Sequence, residues 1–332
     1  MKPANSNRFR IGQLFQSQFG LIWLLFAMVI VFSITSSAFR TPENLMEILR
    51  SSGIYAILVL GLTWVVAVGE LDVSFASAAA LVSMVTAYLI NLGFPMGVIV
   101  ILALAAGTLI GIINGIMVSY MKIPSLIATI ATGFTATAIA KIMGEGKPIF
   151  ITVGSKIVYQ FVYGKLFGIP VLFLTALFIY LACRFLQDRT IMGQHLYALG
   201  ENRQATQEAG INAPKIVFYY FILSSVMSAI AGILVTAQFG SGQHEIGGGN
   251  AVMIEGFTAV FLGAMVIKAG KPNVIGTLIG VIILTVLVNW ITLLGLPTFI
   301  LWLTRGSLLL VGVTIVTLSG YQRKLVGKLQ AG

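Results

Sequence analysis

The chain has 332 residues, of which 58% are hydrophobic and only 9% are charged. Because soluble globular proteins carry about 25% charged residues, this composition excludes a soluble fold and indicates an integral membrane protein. The net charge of +10 does not indicate nucleic-acid binding, since the bases lie mostly in loops and tails, as the positive-inside rule describes. One cysteine, Cys183, and two histidines exclude an internal disulfide, and we expect no metal or other cofactor in this chain.

Ten apolar segments are long enough to span a bilayer, at about 20 residues each. In chain order they comprise residues 19–39, 53–68, 75–92, 96–120, 126–143, 169–186, 216–237, 251–267, 273–294 and 298–318. We therefore predict an all-α, polytopic fold with one transmembrane domain, 19–318, between polar tails at 1–18 and 319–332. A cleavable signal peptide that ends near Ser36-Ser37-Ala38 is an alternative interpretation of the first segment.

An even number of spans places both termini on the same side of the membrane. Thirteen lysines and arginines then fall on the side of the termini and five on the other, an asymmetry that favours cytoplasmic termini. Five spans precede the long loop at 144–168 and five follow it, which raises the hypothesis of an inverted repeat. The two halves show no convincing sequence similarity, so this hypothesis rests on the count of spans.

Two local patterns refine the predicted spans. Residues 40–50 are amphipathic and contain Pro42, which suits the first turn of a helix, so we predict a short interfacial helix before the second span. In the fourth span Gly107, Gly111 and Gly115 are four residues apart and share one helix face. This small-xxx-small spacing predicts close packing against another helix.

The longest polar loop, residues 187–215, lies between the sixth and seventh spans and would be cytoplasmic. Between Gly200 and Gly210, residues 201–209 can form about two helical turns, with Ala205 and Ala209 on one small face. The chain lacks a phosphate-binding loop, so any ATP that drives its action would be hydrolysed by a separate protein. By spacing alone the loop either docks an ATPase or is an ordinary solvated loop. The candidate docking residues are Gly200, Glu201, Asn202, Arg203, Ala205, Glu208, Ala209 and Gly210.

Two acids, Glu70 and Asp72, lie at the end of the second span. An acid at the bilayer centre costs roughly 2.5–3.5 kcal/mol, so such a side chain normally faces protein or water. One interpretation is that Asp72 or Ser74 caps the third span, and the other is that these residues line a gate or pathway. Within the gate or pathway interpretation, a weaker hypothesis is that Glu70 and Asp72 form a proton-coupling pair.

Other polar residues lie within predicted spans. Glu255 and Arg305 have no partner nearby in sequence, which raises the hypothesis that they pair with each other. Asn114 and Asn289 either line a polar path or form hydrogen bonds between helices. The glycine-rich segment 238–250 either borders the outer gate or is a flexible loop. The candidate pathway or gate residues are Glu70, Asp72, Ser74, Asn114, Asn250, Glu255 and Asn289.

Four segments together resemble bacterial ABC sugar-importer permeases of the ribose type, whose relatives handle xylose, galactose, galactofuranose and autoinducer-2. They are, in chain order, GELDVS at 69–74, IPSLIAT at 123–129, YALGENRQATQEAGIN at 197–212 and GTLIG at 276–280. The resemblance extends from about residue 39 to residue 318. Glu70 stands where the family usually has a second glycine, which suggests pairing with a second, different permease.

The resemblance implies a transport subunit of the bacterial inner membrane that catalyses no covalent chemistry. A cytoplasmic ATP-binding subunit, which holds ATP and Mg, would dock at the polar loop. A periplasmic binding protein would deliver a sugar or sugar-like solute, and a second permease subunit would complete the pathway within the lipid. The remaining alternative is a secondary transporter driven by an ion gradient, with Glu70, Asp72 or Glu255 as the coupling acid.

Overall fold

A computed structural model describes residues 20–152, 163–246, 250–266 and 270–330. In this part of the chain the helices are α1 (Gly20–Thr35), α2 (Pro42–Ala67), α3 (Phe75–Asn91), α4 (Met96–Ser119), α5 (Ser125–Met143), α6 (Val171–Arg189), α7 (Ile191–Glu201), α8 (Arg203–Glu208), α9 (Ala213–Phe239), α10 (Asn250–Gly263), α11 (Val274–Leu293) and α12 (Thr298–Gln330). Two short antiparallel ladders pair β1 (Ile149–Phe150) with β4 (Ser241–Gly242), and β2 (Lys165–Leu166) with β3 (Ile169–Pro170).

Among the described residues, seven helices are long and apolar enough to cross a membrane: α2, α4, α5, α6, α9, α11 and α12. Three shorter apolar helices, α1, α3 and α10, occupy the other positions at which the sequence predicts spans. The helical, multi-span fold is thus confirmed, whereas the count of ten spans and the orientation stay predictions. The predicted tail at 1–18 lies outside the described residues.

The second predicted span is longer than expected, because no separate interfacial helix precedes it. Pro42–Ala67 is one continuous helix, and the Thr41 hydroxyl accepts a hydrogen bond from the Asn44 amide at its start. The Ser-Ser-Gly sequence at 51–53 does not interrupt it, because Gly53 lies against α6: a Cβ there would be 2.9 Å from Leu172 Cδ2. Most of the second half of α2 is buried, so α2 is the central helix of the fold.

The three glycines of α4 lie on the face that packs against α9. A Cβ at Gly107 would be 2.6 Å from the Ala229 side chain, and one at Gly111 would be 2.7 Å from the Phe221 carbonyl oxygen. Gly115 is equally close to a phenylalanine of α9. The two backbones therefore approach at a distance that a larger residue would increase, as in small-residue interfaces of membrane helices.

The helices form two groups that each include a long helix from the other half of the chain. α3 and α4 pack with α9, and α5 packs on α3 and α4; α10 and α11 pack with α2, and α12 packs on α10 and α11. At the C-terminus α12 continues to Gln330, so the described part of the predicted tail, residues 319–330, is helical. Residues 319–330 lack proline and include leucine, lysine, arginine and glutamine, which favour continued helix.

Candidate functional site

The polar loop folds into two short helices rather than one. α7 ends at Glu201, and the Asn202 side chain accepts a hydrogen bond from the Ala205 amide at 3.0 Å, which starts α8. The predicted helix over 201–209 is therefore wrong in its boundaries, because a capping asparagine separates the two helices. Gly200 lies inside α7 rather than at a break, whereas Gly210 follows α8 with φ +82°.

α7 is held tightly against the membrane-length helices. The Cα of Gly200 lies against the Ala67 carbonyl oxygen, at the end of α2, and leaves no room for a side chain. The Tyr197 hydroxyl donates to the Pro272 carbonyl at 3.1 Å and accepts from Gln187 at 2.6 Å. Burial raises the pKa of Tyr197 well above its usual value, so the hydroxyl keeps its proton.

Two ion pairs tie the ends of α7 and α8 to neighbouring loops. Arg203 Nη1 lies 2.7 Å from Glu70 Oε1, in the segment that precedes α3. Glu201 pairs with Lys271, shortly before α11. These two predicted docking charges therefore contact other parts of the same chain. The exposed docking candidates include Ala205, Glu208 and Ala209.

Asp72 is completely buried between α2 and α3. Its Oδ1 accepts hydrogen bonds from the Ser74 amide at 2.9 Å and the Ser74 hydroxyl at 2.6 Å, and its Oδ2 accepts from the Ser224 hydroxyl of α9 at 2.8 Å. Ser74 is the residue before α3 but makes no side-chain cap, so capping by Ser74 is wrong. Buried carboxylates require such donors, because an unpaired charge in a protein interior is very costly.

The hydrogen bonds continue from Ser74 into two more helices. Asn114 of α4 donates to the Ser74 hydroxyl at 2.8 Å, and Thr132 of α5 donates to the Asn114 side-chain oxygen at 2.6 Å. We call the five residues connected in this way the Asp72 group: Asp72, Ser74, Asn114, Thr132 and Ser224. Three of them were predicted pathway residues, but Ser224 and Thr132 were missed, because hydroxyls are common in the apolar spans and nothing in the sequence distinguishes these two.

The segment that carries Asp72 is also fixed through its backbone. The Leu71 amide donates to the Ser125 hydroxyl at 3.1 Å, and the Val73 amide donates to the Thr129 hydroxyl at 3.1 Å. Ser125 and Thr129 belong to the IPSLIAT segment and lie in the first turns of α5. Two of the sequence segments that carry the resemblance therefore meet at one place in the fold.

Glu255 and Arg305 form the hypothesised ion pair, with 2.6 Å between Glu255 Oε1 and Arg305 Nε. The pair borders a cavity of about 280 Å³ between α2, α10, α11 and α12, which Tyr55 and Asn289 also line. Asn289 exchanges two hydrogen bonds with Asn44 of α2, at 2.8 and 3.1 Å. We call the cavity beside the Glu255–Arg305 pair the small cavity. It is separate from the Asp72 group, so the predicted pathway residues do not form one site.

A second cavity, of about 500 Å³, lies between α3, α5, α10 and residues 244–246. We call it the large cavity. At one side Lys141 Nζ lies 2.6 Å from Glu245 Oε1, and this ammonium holds the pKa of the Glu245 carboxyl below its usual value. Of the predicted gate segment 238–250, residues 247–249 and the Asn250 side chain lie outside the described residues. Among those described, no three His, Cys, Asp or Glu side chains are placed to hold a metal ion.

Comparison with known proteins gives consistent matches over most of the chain. Residues 44–318 match the family described as branched-chain amino acid transport system / permease component. The ribose import permease protein RbsC of Haemophilus influenzae is 31% identical, over 94% of this chain and 96% of its own. The autoinducer 2 import system permease protein LsrD of Photorhabdus luminescens is 27% identical, over 91% and 92%.

The L-arabinose ABC transporter permease protein AraH of Azospirillum brasilense is also 27% identical, over 89% of this chain and 86% of its own. No solved structure matches the chain. The match to the family covers well over half of the residues, and the apolar helices agree with it. The chain therefore belongs to this family of permease components, which are multi-pass transport subunits of the inner membrane rather than enzymes.

Proposed function

We propose that this chain is the permease subunit of an ATP-driven importer that moves a sugar or sugar-like solute into the cell. The similar permeases named above for ribose, autoinducer 2 and L-arabinose support this class of solute. The observation that carries the proposal is the contact between α8 and the segment that holds Asp72, through Arg203 and Glu70.

In the proposed topology α1, α3 and α10 complete a set of ten spans in one domain, 19–318, with both termini in the cytoplasm. The charge asymmetry of the sequence supports this orientation. It places α7 and α8 in the cytoplasm and residues 238–250 on the outer side. A periplasmic binding protein would then dock near 238–250, and a second permease subunit, identical or homologous, would complete the pathway.

The ATPase would dock on α8. Ala205 and Ala209 are four residues apart and exposed, so they offer a small face that can seat in a groove of the partner. Glu208 is exposed beside them. ATP and Mg would be held by the partner, because this chain has no phosphate-binding loop.

Movement of α8 would reach the spans through Glu70. This residue is two positions before Asp72, whose hydrogen bonds connect α9, α4 and α5 through the Asp72 group. Its neighbours Leu71 and Val73 bind the start of α5. A displacement of Arg203 would thus pull on a segment held by several hydrogen bonds and shift α5, together with α3 on which it packs, relative to α9. Interfaces of this kind change by discrete steps because packed interiors do not deform continuously.

Two experiments test this function. In the first, the tagged chain in detergent is used to capture its ATPase, with A205W and A209W as test variants and A38W, at an exposed alanine between α1 and α2, as the matched control. We expect the ATPase to be captured by the native chain and by A38W and lost in the other two. Capture by all four proteins would contradict docking on α8.

The second experiment separates the two energy sources. Right-side-out vesicles or proteoliposomes that contain the full complex and enclose ATP are supplied from outside with the binding protein and labelled D-ribose, L-arabinose or L-leucine. We expect uptake that requires ATP and is unchanged when a protonophore collapses the proton gradient. Uptake that does not depend on ATP and is abolished by the protonophore would establish the secondary transporter instead.

A further inference from the structure

We propose that the large cavity is a contact site for a neutral polyhydroxylated solute, so that this permease takes part in selecting what it transports. The inference rests on the proposed function and deepens it, because it names the residues that would touch the solute. The cavity volume of about 500 Å³ lies within the range of about 300–1,000 Å³ that is typical of small-molecule sites.

Hydrogen-bonding groups line this cavity on three sides. Ser77 of α3 and Thr137 of α5 both line it, and the Thr137 hydroxyl donates a hydrogen bond to the Ser77 hydroxyl at 3.0 Å. Lys141 and Glu245 form an ion pair at the end of α5. Each hydroxyl both donates and accepts, the ammonium donates and the carboxylate accepts. A polyol has the matching set of donors and acceptors in one small molecule.

The charges of this lining favour a neutral solute. The single ammonium of Lys141 and the single carboxylate of Glu245 offset each other, so a cation or an anion finds no uncompensated partner. Both side chains are nearly half exposed, at 46% and 41%, and they can turn from each other toward a ligand at little cost. A carboxylate with two oxygens can accept from two adjacent hydroxyls of a sugar.

An apolar surface lies beside the polar one. The Phe134 ring of α5 is 74% exposed and lines the cavity with Ile130. Sugars combine hydroxyl edges with an apolar C–H face, which packs well on an aromatic ring. A site with a flat apolar wall and a few placed polar groups is the usual form of a small-molecule pocket.

His244 supplies a further reason to expect a ligand here. It lines the cavity, and its Nδ1 is buried without a hydrogen-bond partner among the described residues. Buried polar atoms are rarely left unpaired, because the loss of hydration is not repaid. A hydroxyl of a bound solute, accompanied by a small movement of residues 244–246, would satisfy this nitrogen.

The cavity is also in the right place for a delivered solute. Lys141 lies in the last turn of α5, whereas Ser125, which binds the segment next to Glu70, lies in its first. Lys141 therefore lies at one end of α5, and the Glu70 segment, which contacts α8 through Arg203, lies at the other end. In the proposed topology this is the outer end, where a binding protein releases its cargo.

The test measures solute turnover per ATP in proteoliposomes with the full complex and saturating, loaded binding protein. Under these conditions the binding protein no longer limits selection, so the ratio of D-ribose to L-arabinose turnover reports on the permease. The test variants are E245Q, which keeps the shape of the side chain, and T137V, which removes only a hydroxyl. E43Q, at an exposed glutamate in the first turn of α2, is the matched control.

We expect E245Q and T137V to lower turnover by about 3- to 10-fold and to change the sugar ratio, as the loss of one or two hydrogen bonds predicts. E43Q should equal the native chain. ATP hydrolysis stimulated by the binding protein shows that each variant is folded and assembled. If both test variants retain the native turnover and ratio while hydrolysis persists, the inference is overturned.

L-leucine serves as the zwitterionic alternative, since an ion pair can also hold an amino acid. If L-leucine alone is transported and E245Q abolishes its uptake, the cavity recognises a zwitterion and the polyol site is refuted. If the native complex transports none of the three solutes, the proposed function itself fails, which is distinct from the failure of this inference.

Discussion

Two buried acids, Asp72 and Glu255, are stabilised in different ways. Asp72 takes part in no ion pair among the described residues and is completely buried, with hydroxyl and amide donors from α9 and from its own segment. Glu255 pairs directly with Arg305 and is 13% exposed at the small cavity. The first arrangement fixes the relative positions of several helices, whereas the second joins only α10 and α12 beside a cavity that water can reach.

The difference shows what each acid is suited to do. Several short hydrogen bonds from separate elements form a rigid junction, because all of them must break together if the helices move apart. An ion pair at a cavity can separate at lower cost, since the two charges can be hydrated. The Asp72 group therefore suits transmission of movement, and the Glu255–Arg305 pair suits a local contact that opens and closes.

The largest effect is expected from D72A. Its Ser74 and Ser224 donors would lose their acceptor in a fully buried place, and each unsatisfied buried group costs about 1–3 kcal/mol. We expect a loss of stability on the order of 3 kcal/mol or more, measured as a lower melting temperature in detergent. D72N is the matched control, because its side-chain oxygen can still accept from Ser74. Equal melting temperatures for D72A and the native chain would refute the role of this junction.

The next effect concerns the close packing of α4, which carries Asn114 of the Asp72 group, against α9, which carries Ser224. In G111A the new methyl group would clash with the Phe221 carbonyl, so α4 must move away from α9, which carries Ser224. We expect a loss of about 1–3 kcal/mol, typical of overpacking. The control is G97A in the same helix, where a Cβ meets nothing within 4 Å. Thermal unfolding of both variants tests this, and equal effects would contradict it.

The Glu255–Arg305 pair is expected to show a smaller effect, with marked coupling between its two members. Either single variant, E255Q or R305Q, leaves one charge partly buried, whereas the double variant removes both. A double-mutant cycle on thermal stability should give a coupling energy of about 1–3 kcal/mol. Additive effects would show that the two charges are hydrated independently, and the comparison with Asp72 would lose its basis.

The smallest effect on stability is expected at the contact between Arg203 and Glu70. Arg203 is 41% exposed, and such pairs contribute about 0–1 kcal/mol. R203E should therefore leave the melting temperature nearly unchanged but lower transport per ATP hydrolysed. The charge-reversed double variant, E70R with R203E, should recover transport. Full transport by R203E alone would show that movement of α8 reaches the spans by another route.

Some features of the site could be predicted because they depend on local sequence. The apolar helices follow from length and hydropathy, and the polar loop at 187–215 is visible as the longest interruption between them. Glu255 and Arg305 could be paired because isolated charges within spans require partners. The glycines of α4 could be assigned to one face, since helical periodicity alone determines this.

Other features depend on contacts between distant residues. The division of the loop at Asn202 and the continuity of α2 past Gly53 were both missed. At Asn202 the side chain caps α8 and so divides the helical segment that the sequence predicts. At Gly53 packing against α6 keeps α2 continuous although the local sequence favours a break. The contact of Arg203 with Glu70 joins residues far apart in the chain, which no local pattern indicates.

The sequence by itself determined that the chain is a membrane permease and which segments form its apolar helices, because both follow from composition, hydropathy and short motifs. Only the tertiary structure decided which groups donate hydrogen bonds to Asp72. Its partner Ser224 is 152 residues away, and serines in apolar helices are too common for one to be chosen in advance. A buried carboxylate must find its donors wherever the packed helices bring them, and that is set by the fold as a whole.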